Sequence, residues 1–286
     1  MSAIWPGALL VVYLAATGIL LLAGHERVST AGIALHLAVL CAISAATWLR
    51  IVPRWLRSWA PLIALLFLYT EMPMLIRAAG HDALRDGNVM RWELAIFGTQ
   101  PALTWAQHWR SPVGSELLHA AYLSYYAIIV AVPLGLYVAR RQREFSEAVL
   151  LLMVTFVVCF VCYIAFPVAG PRYFWASEAS AHTGPIRAAT LWLLEARSSR
   201  GTAFPSSHVA VAVTQSVLAL RYFGKRAWII GALALGLALG AVYGGFHYAV
   251  DVIAGAILGL ILPLTGVAAV RRLAPPESQA NAIAPT

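Results

Sequence analysis

Long apolar segments recur along the whole chain, and each is close to the roughly 20 residues that an α-helix needs to cross a bilayer. Charged residues make up only 11% of the sequence and hydrophobic residues 61%, whereas a soluble domain is roughly 25% charged. The pattern excludes a soluble fold and predicts an all-α, polytopic membrane helix bundle of about eight transmembrane helices. The predicted spans are Ile4–Leu22, Ala31–Ile51, Trp59–Ile76, Leu117–Val138, Ala148–Val168, Ser206–Tyr222, Ala227–Tyr243 and Val250–Leu262, the last running on toward Val270.

The net charge of +8 is explained by short basic connections between these spans. With eight spans, four basic clusters and both termini fall on one side, which the positive-inside rule makes cytoplasmic. Anionic lipid and membrane topology therefore account for the charge, and no nucleic-acid partner is predicted. The clusters are Arg50, Arg54 and Arg57; Arg140, Arg141 and Arg143; Arg221, Lys225 and Arg226; and Arg271 and Arg272.

Two longer connections, 77–116 and 169–204, are then predicted to face away from the cytoplasm. The first contains the tryptophan-rich stretch MRWELAIFGTQPALTWAQHW, which is typical of a segment lying in the membrane interface. The second contains GPRYF and a possible short helix at IRAATLWLLEA. The polar, proline-rich tail at 273–286 is predicted to be disordered.

The stretch VYGGFHYAVDVIAG contains His247 and Asp251, four residues apart. The pair shares one helix face if the last helix begins at or before His247. A carboxylate that accepts a hydrogen bond from one imidazole nitrogen fixes the tautomer and makes the other nitrogen a better nucleophile. An acid at the membrane boundary is a functional candidate by default. The alternative is a helix-start histidine that is satisfied by a local acid.

The stretch GTAFPSSHVAVAV places Pro205 where a helix is expected to begin. The amides of Ser206, Ser207 and His208 are then predicted to be unpaired, which together with the helix dipole would form an anion site. The two hydroxyls add donors for a phosphate oxygen, and His208 is placed to give or take a proton. The alternative is a serine N-cap beside an interfacial histidine.

Arg172 follows Gly170 and Pro171 where the fifth predicted span ends. Its guanidinium is a planar fork suited to phosphate, and the alternative is an interfacial arginine with its stem in apolar surroundings. Eight spans bring these three segments to the same, non-cytoplasmic face. Two histidines, an acid, an arginine and a serine-lined helix start together predict a phosphoryl-transfer site.

The order Arg, then P-S-x-H, then H-x-x-x-D resembles the type 2 phosphatidic acid phosphatase superfamily, whose motifs are K-x6-R-P, P-S-G-H and S-R-x5-H-x3-D. Here the second motif is PSSH and the third ends in HYAVD. The resemblance covers a six-helix phosphatase-like core at 59–272 and leaves two extra N-terminal transmembrane helices at 1–58.

The resemblance implies a role for each matching residue. His247 would attack phosphorus to form a phosphohistidine, and Asp251 would orient it. His208 would protonate the leaving oxygen and then deprotonate water or an acceptor hydroxyl. Arg172, Ser206 and Ser207 would hold the non-bridging oxygens. The family needs no metal or cofactor, and the sequence contains no carboxylate cluster typical of a Mg²⁺ site.

Two of the family's motif cations are absent from this chain. Ala165 occupies the place of the first lysine, and Gly240 and Ala241 replace the S-R pair of the third motif. Because of these departures, the chain resembles the branch that includes inositol phosphorylceramide synthase and the sphingomyelin synthases. Those enzymes move a phospho-headgroup between lipids. The segment RWELAIFG also resembles that branch. Hydrolysis and headgroup transfer therefore both stay open.

Other polar residues lie inside predicted spans and are candidates for a substrate cavity, namely Glu71, His119, Tyr122 and Tyr243. Glu71 has the alternative of a structural pair with Arg77 or a tyrosine. The remaining histidines are predicted to be interfacial or loop-bound, and no role is assigned to them. They are His25, His36, His81, His108 and His182.

The sequence thus favours a lipid phosphatase or phosphotransferase that acts on a phospholipid, lipid phosphate or polyprenyl diphosphate. One alternative is a transporter with Glu71, His119 and Asp251 as a polar relay, although no internal repeat is evident. Another is an inactive lipid-binding relative. The expected partners are a lipid substrate and the bilayer, and the sequence leaves the oligomeric state open.

Overall fold

The computed structural model describes residues 4–49, 52–175, 184–197 and 199–273. Within these ranges the chain is helical, and its only β feature is an isolated bridge between Val168 and Thr202. The helices are α1 Ile4–Ala23, α2 Thr30–Trp48, α3 Arg54–Thr70, α4 Met72–Ala78, α5 Asp86–Phe97, α6 Pro101–His108, α7 Pro112–Leu123, α8 Tyr125–Val138, α9 Gln142–Ala165, α10 Pro185–Arg197, α11 Ser207–Phe223, α12 Trp228–Tyr243 and α13 Ala249–Leu273.

The predicted fold class, an all-α polytopic bundle, is confirmed. By length and hydropathy, six helical stretches of the described chain can cross a membrane, or seven if the bent pair α3–α4 is one span. This criterion counts Ser207–Tyr243 as one stretch, whereas the prediction of eight divided it into two spans. A short 3₁₀ turn at Gly224–Ala227 separates that stretch into α11 and α12.

The two halves of this stretch fold back on each other. α11 and α12 pack side by side. The ring of His208, at the start of α11, lies 5.8 Å from the ring of His247, which follows the end of α12. The start of one helix and the end of the other therefore lie at the same end of the bundle, and the two helices are antiparallel.

The core is built around α9 and α11. Buried apolar side chains of α9 contact α1, α8, α11 and α13, so this helix is enclosed by its neighbours. The hydroxyls of Thr155 on α9 and Thr214 on α11 lie 3.1 Å apart, a polar contact of the kind that joins helices in membranes. Tyr13 of α1 packs against Phe160 of α9. The division of the chain at residue 58 stays a prediction.

Two glycines let α13 approach α11 closely. A Cβ at Gly255 would meet the carbonyl oxygen of Ser206, and a Cβ at Gly259 would meet that of Ala210. Small residues spaced four apart are the usual means by which membrane helices bring their backbones together. The contact sets the distance between the first turn of α11 and the first turns of α13, where the predicted site residues lie.

The bend between α3 and α4 is held by a buried pair that the sequence prediction did not contain. Glu71 lies at this 58° bend, and its Oε2 is 2.8 Å from Nδ1 of His36 on α2. His36 is fully buried, so its prediction as an interfacial or loop residue is wrong. The partner of Glu71 is this histidine rather than Arg77 or a tyrosine, because α2 packs against α3.

The two long connections contain short helices. The first forms α5 and α6, and the second forms α10 over the stretch where a short helix was predicted. The carboxylate of Glu116, on α7, accepts the amides of Ile186 and Arg187 and so caps the start of α10. The predicted disordered tail lies outside the described residues, apart from the last helical residue, Leu273.

Replacing Gly255 or Gly259 with alanine is expected to destabilise the protein by about 1–3 kcal/mol, because the added methyl meets backbone that cannot yield locally. Gly231 of α12 is a matched control, since a Cβ there meets nothing within 4 Å. Gly231→Ala is expected to be neutral or to gain up to about 1 kcal/mol of helix propensity. Thermal unfolding of the three variants in detergent measures the difference. Equal melting temperatures for Gly255→Ala and Gly231→Ala would contradict the close contact.

Candidate active site

A pocket lies at the end of the bundle where α9 ends, α11 begins and α12 connects to α13. Three of the predicted site residues line it together, namely Arg172, His208 and His247. Its walls include three tyrosines, Tyr69, Tyr122 and Tyr173. The structure thus brings together residues from three segments that are far apart in the sequence.

His247 lies in the short connection between α12 and α13 and is almost fully buried. Its Nδ1 is 3.1 Å from the carbonyl oxygen of Ala203 and 3.5 Å from Oδ2 of Asp251. A carbonyl oxygen only accepts hydrogen bonds, so the proton of the neutral ring lies on Nδ1. The lone pair of Nε2 is therefore available for nucleophilic attack. The sequence identified Asp251 but not the Ala203 carbonyl, whose hydrogen bond is the shorter one.

The surroundings of His247 keep its ring neutral. Burial is the main cause that lowers its pKa to about 4, and the positive charge of Arg172 acts in the same direction, whereas the bond to Ala203 opposes them. An imidazolium would have no lone pair on Nε2. The ring is thus neutral, with a free lone pair on Nε2, throughout the neutral pH range.

Asp251 is fully buried in the first turn of α13. Its Oδ2 accepts the amide of Tyr248 at 2.9 Å, and its carbonyl oxygen accepts the amide of Ser206 at 3.0 Å. The residue therefore fixes the loop that carries His247 and also joins α13 to the start of α11. Helix α13 begins at Ala249, after His247, so the helix start at or before His247 that the sequence analysis required is not found.

The start of α11 is not the open anion site that the sequence predicted. Helix α11 begins at Ser207, and Ser206 is its N-cap, whose Oγ accepts the amide of Val209 at 3.4 Å. The amide of Ser206 donates to Asp251, and that of Ser207 donates to the hydroxyl of Tyr163 at 3.2 Å. Two of the three amides predicted to be unpaired are thus used within the fold. The binding of phosphate by the two hydroxyls stays a prediction.

His208 lies between two tyrosine rings. Tyr122 stacks on it with centroids 5.4 Å apart and an angle of 25°, and the centroid of Tyr125 lies 4.4 Å away. These rings restrict the imidazole to one plane beside His247. The Nδ1 of His208 is buried without a hydrogen-bond partner among the described residues. The two histidines therefore face the same pocket with different surroundings, which suits different roles.

Arg172 lies in a 3₁₀ turn at Pro171–Tyr173. The turn is possible because Gly170 adopts a φ of 103°, a conformation that side chains other than hydrogen disfavour. The guanidinium of Arg172 lies 4.7 Å from the centre of the Tyr173 ring, and its Nη2 is 3.0 Å from the Tyr173 hydroxyl. The arginine is thus held at the pocket by its neighbour.

The segment before Arg172 is held by Asp86, which the sequence analysis did not identify. The two carboxylate oxygens of Asp86 accept the amides of Ala169 and Gly170, each at 2.9 Å. The hydroxyl of Tyr248 donates to the same carboxylate at 3.2 Å. Asp86 begins α5, so this interfacial helix connects the segment of Arg172 with the loop of His247.

Glu93, seven residues after Asp86 on α5, caps the start of α13. Its Oε1 accepts the amides of Ala249 and Val250, the second at 3.3 Å. Burial raises the pKa of Glu93 to about 7, and the nearby Asp251 adds to this effect. The signal in the sequence was the acid within RWELAIFG, which composition alone could not distinguish from an exposed interfacial residue.

The predicted cavity residues fall into three positions. Tyr122 lines the pocket. His119 and Tyr243 are buried behind it, where the ring of His119 packs edge-on against Tyr243 and Phe246, and the Tyr243 hydroxyl donates to the carbonyl of Trp109. Glu71 bonds to His36 and does not line the pocket. The described hydrogen bonds do not connect Glu71, His119 and Asp251 into the relay that a transporter would use.

The chain matches a known protein family. A family model described as the PAP2 superfamily matches residues 88–264, well over half of the chain. The chain belongs to the PAP2 superfamily. No curated protein and no solved structure matches it. Membership in the PAP2 superfamily indicates a phosphatase-type lipid enzyme, and the long apolar helices fit an integral multi-pass membrane protein.

The structure explains why one pair of PAP2 motif residues is missing here. A Cβ at Gly240 would meet the carbonyl oxygen of Leu118, and Ala241 is fully buried. The close contact of α12 with α7 therefore leaves no room for the serine and arginine of the usual third motif. Any further cation at this site has to come from another part of the chain.

The raised pKa of Glu93 predicts that the stability of the folded protein depends on pH. Its raised pKa means that the folded protein holds this proton more tightly than the unfolded chain, so stability is lost as pH rises from 4.5 to about 7. Glu93→Gln keeps an acceptor for the two amides and is expected to remove this slope. Melting temperatures measured across that pH range test it. Glu116→Gln, a matched cap on α10, is expected to keep the slope, and an unchanged slope in Glu93→Gln would contradict the assignment.

Proposed function

We propose that this protein is a membrane lipid phosphatase or phosphotransferase that works through a phosphohistidine on His247. The observation that carries the proposal is the position of the His247 Nδ1 proton, which the carbonyl of Ala203 accepts at 3.1 Å. This bond leaves Nε2 with a lone pair beside a second histidine and an arginine. The proposal assigns the substrate as a lipid with a phosphoryl head.

In the first step, Nε2 of His247 attacks phosphorus as the bond from phosphorus to the leaving oxygen breaks. His208, whose ring centroid is 5.8 Å from that of His247, gives a proton to the leaving oxygen. Asp251 and the Ala203 carbonyl stabilise the positive charge that develops on the attacked imidazole. A positioned general acid contributes typically 10²–10⁴-fold in rate.

In the second step, an acceptor oxygen attacks the phosphohistidine and the N–P bond breaks. His208 takes the proton of that acceptor, which regenerates both histidines in their starting states. Water as the acceptor gives hydrolysis, and a lipid hydroxyl gives headgroup transfer, as in the synthase branch that the sequence resembles. The two reactions share every residue of the site, so the acceptor distinguishes them.

Arg172 supplies the charge that stabilises the phosphoryl group in transit. Phosphoryl transfer depends mainly on positioning and electrostatic stabilisation, and one preorganised donor is worth roughly 3–4 kcal/mol of barrier. Arg172 lines the pocket with both histidines, and its charge already acts on His247. Its fixed turn lets it serve without rearrangement.

The active site is proposed to face the non-cytoplasmic side, with both termini cytoplasmic. Helix α9 starts beside Arg140 and Arg141 and ends at the pocket, and α11 runs from the pocket to Arg221. Arg141 also donates to the carbonyl of Tyr222 at 2.9 Å, so these basic connections lie together at the opposite end. The positive-inside rule then supports the orientation.

The test is a mass-spectrometric product scan with purified protein. Substrates are phosphatidic acid, a polyprenyl diphosphate, and phosphatidylinositol with and without ceramide or diacylglycerol. The wild type is expected to form product, and His247→Ala none, because only His247 provides the nucleophile. His108→Ala replaces an exposed histidine that bonds the Thr104 carbonyl and serves as the control with full activity. Full turnover by His247→Ala would rule out the covalent scheme.

The pH profile gives a second test of the nucleophile. With a pKa of about 4, His247 is deprotonated well below the ordinary histidine range, so its acid limb in kcat/KM is expected near pH 4 rather than near 6.5. Arg172→Gln removes one of the causes that lower this pKa, and its limb is expected to move toward higher pH. A wild-type limb at pH 6.5 would contradict the buried, neutral nucleophile.

A further inference from the structure

A second arginine, absent from the family motifs, lies at the rim of the pocket. Arg200 belongs to the loop before α11, and Ser199 and Thr202 on either side of it line the pocket. Its Cζ is 5.5 Å from the centre of the Tyr173 ring, and the Cζ of Arg172 is 4.7 Å from the same ring. Both guanidinium groups therefore lie close to the same aromatic side chain.

The charge of Arg200 is not neutralised within the described part of the chain. The side chain is exposed, and the ion pairs of the described residues do not include it. A guanidinium stacked on an aromatic face keeps its in-plane N–H donors for phosphate. Arg200 is thus held at the pocket with its donors available for a ligand.

The two arginines lie at different depths. Arg172 lines the pocket and its charge acts on His247, whereas Arg200 is outside the pocket lining and is exposed. A substrate that meets both would carry one anionic group at the reacting histidine and another farther out. Two phosphates in series have this arrangement.

We propose that Arg200 is a substrate-binding residue that holds the second phosphate of a lipid diphosphate, while Arg172 holds the phosphate that reacts. The proposal rests on the phosphoryl transfer proposed above and adds to it the substrate class and a new binding residue. Arg200 thereby takes over a charge that Gly240 and Ala241 cannot supply, because the contact with α7 fills that space.

Hydrolysis of a lipid diphosphate requires only the residues named above and water. Nε2 of His247 bonds to the terminal phosphorus, and the bond from that phosphorus to the bridging oxygen breaks. The bridging oxygen leaves with the electron pair and takes a proton from His208, which gives a lipid monophosphate whose remaining charge Arg200 stabilises. Water then attacks the phosphohistidine, its proton passes to His208, and inorganic phosphate is released as the N–P bond breaks.

The experiment compares farnesyl diphosphate with farnesyl monophosphate, which share one tail, using the full chain in detergent. Arg200→Gln is expected to raise KM for the diphosphate about tenfold, the value of one charged hydrogen bond, and to change KM for the monophosphate less than about twofold. Arg200→Lys is expected to recover part of the loss, since it restores the charge but not the fork. Arg110→Gln is the control, because Arg110 is exposed near the same end and its Nε donates to the carbonyl of Gln107.

The remaining outcomes would each contradict a different part of the proposal. An equal loss on both substrates, or no loss on either, would overturn the role of Arg200 while leaving the proposed function intact. Wild-type turnover of a phosphodiester lipid but of neither farnesyl phosphate would overturn the diphosphate class alone. No turnover of any phosphorylated lipid would overturn the proposed function and this inference with it.

Discussion

The backbone contact between α11 and α13 is the constraint on which the site depends. Gly255 and Gly259 allow the two helices to touch along Ser206 and Ala210, and the Asp251 carbonyl accepts the Ser206 amide at the same place. His208 lies on one of these helices, and His247 immediately precedes the other. In a bilayer, where apolar burial gives little drive for helices to associate, such close packing and interhelical hydrogen bonds set their separation.

Two buried carboxylates on α5 stabilise the backbone around the site. Asp86 and Glu93 on α5 bind backbone amides of the segments that carry Arg172 and Asp251. Backbone amides in a partly apolar environment need such acceptors, because an unpaired donor there is costly. Helix α5 therefore fixes the backbone of the segments that surround the pocket. Both acids lie before or within the stretch that matches the PAP2 superfamily, which begins at residue 88.

The sequence predicted which residues line the pocket better than it predicted their hydrogen bonds. Arg172, His208 and His247 line one pocket as the motif spacing indicated. The amides of Ser206 and Ser207 were expected to be unpaired, but Asp251 and Tyr163 accept them. These partners come from other helices, so no local pattern could indicate them. The same reason applies to His36, whose pairing with Glu71 required α2 to pack on α3.

The sequence by itself determined the membrane class, the helical fold and the candidate site residues, because apolar length, sparse charge and the spacing of motif residues are local properties. The tertiary structure alone decided the tautomer of His247, the closure of the α11 start and the placement of both Arg172 and Arg200 beside the Tyr173 ring. Each of these depends on which atoms of distant segments come within a few ångströms, and that is set by packing between helices.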